Sequence, residues 1–140
     1  MEWHPVIVHF PIVLIPLGVV VDLLALVKKR EDWHVFAYNL TLGGTIAALT
    51  AVLTGNAAAE SYREQSSLLA PLESHEDTAT LALLLMLAVV LGRMPLQLQR
   101  RFEGWPIRGW IGVAVVGSVL VWLASLYGGD LVYDYGVGVK

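Results

Sequence analysis

Residues 4–27 read HPVIVHFPIVLIPLGVVVDLLALV, an apolar run entered through two imidazoles, His4 and His9, and carrying one acid, Asp22. At about 1.5 Å per residue a helix of this length crosses the ~30 Å hydrocarbon layer of a bilayer. Three further apolar blocks follow, Val35 to Ala59, Thr78 to Leu91 and Ile107 to Tyr127. The third gains spanning length if its helix starts at Ser74 or His75, with Ser74 as N-cap and Glu76 and Asp77 at the positive end of the helix dipole.

Composition agrees with immersion in lipid. The chain of 140 residues is 56% hydrophobic and 15% charged, with a mean hydropathy of +0.65, and its apolar residues are gathered in blocks. The absence of cysteine excludes disulfides, thiolate iron–sulfur ligation and covalent haem attachment. A net charge of -3 without a basic stripe gives no support for nucleic-acid binding. Glu2, and no Lys or Arg, precedes the first run, so that run reads as a retained helix and not as a cleaved signal.

The expected fold is therefore an all-α four-helix transmembrane bundle with helices at about 5–28, 34–59, 75–92 and 106–127, forming one domain. Lys28, Lys29 and Arg30 follow the first block and Arg93, Arg100, Arg101 and Arg108 flank the last connection, while the middle loop holds only Arg63. The positive-inside rule places the basic loops in the cytoplasm and both termini outside, in a bacterial inner membrane. Trp33, Trp105 and Trp110 then fall at inner helix ends and Trp3 near an outer one. In the second helix Gly44, Ala48, Ala51 and Gly55 form a stripe of small residues suited to close packing within the bundle or to a homo-oligomer. Pro11 and Pro16 each remove a backbone donor from the first helix. No internal repeat is evident.

With that topology His4, His9 and His75 share the outer side. His9 and His75, on two helices running inward from the same face, are expected to meet at similar depth, as the two axial ligands of a b-type haem do. His4, five residues from His9, would contribute only from a non-helical approach to Pro5; His4, His9 and His75 with a carboxylate would suit zinc or copper. The plainer alternative is a set of hydrogen-bonding imidazoles at headgroup level. His34 reads as interfacial and Met86 as filling. Asp22 is expected to pair with Asn39, a threonine of the second helix, or a loop Lys or Arg, with a proton relay as the sharper alternative. The tail, residues 128–140, alternates around Tyr133 and Tyr135 and reads as an extended segment over the outer mouth, bringing two phenols toward the imidazoles. No hydrolase or phosphate-binding motif is present.

The opening HPVIVHFP, Asp22, the small-residue second helix, His75 and the closing GGDLVYDYGVGV together resemble Domain of Unknown Function family 2231, small bacterial membrane proteins of four helices. Related sequences are joined to Rieske-type or cytochrome c-type domains, so the resemblance implies a redox setting, with His9 and His75 as first ligand candidates and His4 next. The functional expectation is haem b, or another metal, bound for electron transfer between a membrane quinol and an outside redox partner. The alternative is a non-catalytic accessory subunit of a larger membrane complex. A transporter finds less support, because Asp22 alone is buried in an apolar block and no pair of broken helices is evident.

Overall fold

A computed structural model describes residues 3–138, and among them every regular element is helical. The elements are α1 (His4–Ile7), α2 (His9–Lys28), α3 (Glu31–Ala59), a 3-10 turn (Glu60–Tyr62), α4 (Leu69–Leu98) and α5 (Trp105–Tyr133). Val8, between α1 and α2, keeps helical dihedrals, so the two act as one span. Four stretches, His4–Lys28, Glu31–Tyr62, Leu69–Leu98 and Trp105–Tyr133, are long and apolar enough to cross a membrane.

Helix bounds differ from the sequence expectation in two places that matter. α4 starts at Leu69, so Ser74 lies inside the helix and its hydroxyl donates to the Ala70 carbonyl (2.9 Å) instead of capping an end. His75 thus stands beyond the first turn. The second correction is the tail: residues 128–133 continue α5, because the alternation that suggests a strand is outweighed by an apolar helix already in register. After Tyr133 the chain turns, with the Val137 N–H on the Leu131 carbonyl (2.9 Å) and the Gly138 N–H on the Tyr62 hydroxyl (3.0 Å). Val139 and Lys140 lie outside the described residues.

α2 packs most extensively on α3, and α4 on α5, so the bundle is two hairpins; α3 also meets α4, and α2 meets α5. α2 and α4 are therefore diagonal partners. The hairpins repeat one another, contrary to the sequence reading. Asp22 and Arg93 stand 71 positions apart, and the same separation relates His4 to His75, Ile15 to Met86 and Lys29 to Arg100. Lys29 (φ 52°) and Arg100 (φ 50°) are the two non-glycine residues with positive φ among the described residues. Next to them, Arg30 N–H bonds the Ala25 carbonyl (3.1 Å) and Arg101 N–H the Leu96 carbonyl (2.9 Å), the same helix-ending bond in each hairpin. A slightly larger constant separation relates Gly44, Ala51 and Gly55 in α3 to Gly117, Ala124 and Gly128 in α5. Both first helices run the same way, so the pseudo-two-fold axis lies along the bundle.

Residues of the diagonal helices meet on that axis. Ile15 and Met86, each fully buried, fill its middle together with Val19, Val89 and Ala114. At the end nearest the α2–α3 connection Arg93 donates to both oxygens of Asp22, Nη2 at 2.9 Å to Oδ1 and Nη1 to Oδ2. His34 Nδ1 donates to the same Oδ1 at 2.8 Å, and its ring stacks on Phe102 with centroids 5.5 Å apart. Of the partners expected for Asp22, the cation is the one found, and it comes from a helix. His34 is buried, not interfacial, because the carboxylate supplies its hydrogen bond. The small-residue stripe of α3 lies inside the bundle, Gly44 against Ile15 and Gly55 against His4.

Removing one member of a buried ion pair strands the other in low dielectric at a cost of about 3–5 kcal/mol. Asp22→Ala is expected to lose stability of that order in a denaturant titration of the detergent-solubilised protein, and Asp22→Leu combined with Arg93→Met to recover most of it.

Candidate functional site

The opposite end of the axis holds the site. His4 is the first residue of α1 and is helical, so its imidazole projects from a helix end and not from an irregular approach. Its Nδ1 donates to the Ala51 carbonyl of α3 at 2.9 Å, with the Thr54 hydroxyl at 3.3 Å. In α4, His75 Nδ1 donates to the Ala124 carbonyl of α5 at 2.9 Å. A carbonyl can only accept, so both rings carry a proton on Nδ1, with Nε2 the nitrogen away from that bond. This is the orientation that metal-binding histidines are given when the nitrogen away from the metal is held by a carbonyl.

One helical turn beyond each carbonyl stands a glycine. A Cβ on Gly55 would lie 2.8 Å from His4 Cε1, and one on Gly128 would lie 3.0 Å from His75 Cε1. Each ring therefore fills a notch in the neighbouring helix that any side chain would close. The two imidazoles face each other across the axis with centroids 6.4 Å apart and planes at 85°.

Around them is a cavity of about 530 Å³, within the size range of small-molecule and cofactor sites. Its walls are mostly alanine, glycine and aliphatic side chains, Ala48, Ala79 and Ala82 among them. Small residues leave width across the bundle for a flat ligand. Leu72, Leu131 and Val137 pack beneath the tail at the cavity's end. Glu76 lines the cavity, and Arg63 Nη2 donates to both its oxygens (3.1 and 3.2 Å) while Arg63 Nε donates to Glu60 (3.3 Å).

The ring facing His75 is that of His4, the histidine the sequence ranked second. His9 is exposed and lines the edge of the same cavity from α2, deeper along the bundle. Sequence reasoning favoured His9 because His4 read as lying in a non-helical approach to Pro5; the missed signal is the spacing of His4 from Asp22, which matches that of His75 from Arg93. Tyr133 is 89% exposed yet lines the edge of the same cavity, whereas Tyr135 is exposed and is not part of the lining. Among the described residues no group of three or more His, Cys, Asp or Glu is arranged to hold a metal ion, so the zinc or copper set built from His4, His9, His75 and a carboxylate is not assembled.

Fold and site together define a four-helix membrane protein of two repeated hairpins with an imidazole pair on the axis between them. The chain belongs to family DUF2231, described as predicted membrane protein, whose pattern matches residues 2–140. No curated protein and no solved structure matches it.

Overpacking a tight site costs about 1–3 kcal/mol. Gly55→Ala and Gly128→Ala are each expected to lower stability by this amount in the same denaturant titration, whereas Gly109→Ala, where a Cβ meets nothing within 4 Å, should be neutral or slightly stabilising.

Proposed function

We propose that this protein is a membrane electron carrier holding a b-type haem between His4 and His75. The observation that carries this reading is the imidazole pair itself, two rings of one tautomer, held by equivalent carbonyls and 6.4 Å apart. Metal–imidazole bonds of about 2.0–2.1 Å, plus roughly 1.1 Å from nitrogen to ring centre on each side, separate two opposed ligand rings by about 6.3 Å. Two protein nitrogens are too few for a zinc site of four ligands. They suffice for a metal that brings its own four equatorial nitrogens. The apolar cavity and its alanine-rich walls suit the face of such a macrocycle.

A bound haem would supply one-electron chemistry. The chain's own part is to fix both rings through Ala51 and Ala124, to keep water from the apolar walls, and to set the tautomer that presents Nε2. By cation bias, the basic end carrying Lys28, Lys29, Arg30, Arg100 and Arg101 faces the cytoplasm of a bacterial cell. The imidazole end then lies near the outer leaflet of the inner membrane, with both termini outside, within reach of a redox partner there.

The protein expressed with ample haem supply and purified in detergent is expected to show a Soret band with the spectrum of two imidazole ligands. His4→Ala and His75→Ala should each abolish it, and His9→Ala should leave it in place. A wild-type protein without the band would overturn the assignment.

A further inference from the structure

The cavity is closed at its end by the tail, where Gly138 bonds Tyr62 and Val137 packs on Ala59, Leu72 and Leu131. Below, Ile15 and Met86 stop it with fully buried side chains. Its lateral edge is different. Of the six residues that both line the cavity and are exposed, Pro5, His9, Val132 and Tyr133 belong to the first and last spans, while Asn56 stands on α3 and Gly138 in the tail. The opening therefore faces the acyl chains between these two spans.

His9 stands in that opening. It lies five residues along the span from His4, about 7–8 Å deeper in the bundle, and makes no hydrogen bond with the described residues. An imidazole exposed at that depth is costly unless something polar reaches it from the lipid side. Its pseudo-symmetric counterpart in α4 is Thr80, so the feature belongs to one edge only.

We propose that this lateral opening binds a membrane-soluble ligand of the quinone class, its ring oxygen bonded to the His9 imidazole and its apolar tail in the bilayer. An oxygen-bearing ring on a hydrocarbon tail meets both demands of the place, a hydrogen-bond partner for His9 and an apolar approach through lipid. A neutral imidazole can donate to a quinone carbonyl or accept from a quinol hydroxyl. The inference rests on the electron-carrier reading for its purpose but not for its geometry, since His9 is not one of the two axial rings.

The test titrates the purified full-length protein, in detergent and without added haem, with decylubiquinone, and follows quenching of tryptophan fluorescence. Saturable binding is expected, weakened about tenfold or more in His9→Leu and within about threefold of wild type in His9→Gln, which keeps a hydrogen-bonding group. Circular dichroism confirms that both variants are folded. Unsaturable partitioning, equal affinity in His9→Leu, or displacement of the quinone by phosphatidylglycerol, which would assign His9 to a lipid headgroup, each overturns the proposal. Because no Soret band enters the readout, failure here is separable from failure of the haem assignment.

Discussion

The contact between Asp22 and Arg93 sets the register of everything else. A carboxylate and a guanidinium removed from water cannot be left half-paired, so the two diagonal helices have one relative height at which both charges are satisfied. Such a pair adds little net stability over an apolar replacement, but a slip of one turn would strand both ions. It acts on specificity. His4 precedes Asp22 by the same number of residues as His75 precedes Arg93. A rigid helix of that length, about 27 Å, therefore carries the register of one end to the other and brings the imidazoles level. Identical residues at the charged positions would have placed two like charges on the axis, so the pair also distinguishes the two halves of an otherwise repeated fold.

The bilayer-scale architecture was legible in the sequence because lipid imposes a simple rule: long apolar blocks must be helices, since no other open segment satisfies its backbone there. The small-residue stripe of α3 likewise announced close packing. The repeat was not legible, because the positions that correspond are Asp with Arg, Ile with Met and Lys with Arg, and lipid-facing positions accept nearly any apolar residue. What the halves share at the imidazole end is sparse: a histidine, an alanine whose carbonyl bonds it, and a glycine one turn further on. The extended tail was misread for a related reason. Alternation over a few residues is a weak signal beside a helix already packed on its neighbours, and Leu131, buried on the core side, keeps α5 in place.

Histidine ranking by sequence went astray at the membrane surface. The expected non-helical entry before Pro5 argued against His4, whereas the quantity that brings a ring opposite His75 is which side of the helix faces the axis. His4 lies on the side of Ile15 and Asp22, at intervals of eleven and seven residues, which are close to whole numbers of helical turns. His9 stands well off that line. His34 was misjudged by its neighbours in sequence, Trp33 and a charged loop, when its partner across the hairpin is the buried carboxylate.

The polar groups on the axis form two clusters near opposite ends, and what separates them bears on function as much as the clusters do. Between His4 and His75 at one end and Asp22, Arg93 and His34 at the other, the axis is filled by Ile15, Met86, Val19 and Val89, with no ionisable side chain among them. The hydroxyls of Thr41 and Thr45, buried beside this layer, are spent on the carbonyls four residues earlier in α3 (2.9 and 2.7 Å). Among the described residues this layer offers no exchangeable side chain that would link the two clusters. Asp22 thus acts as the fixed counter-ion of Arg93 and as the hydrogen-bond acceptor of His34 at its own end of the axis.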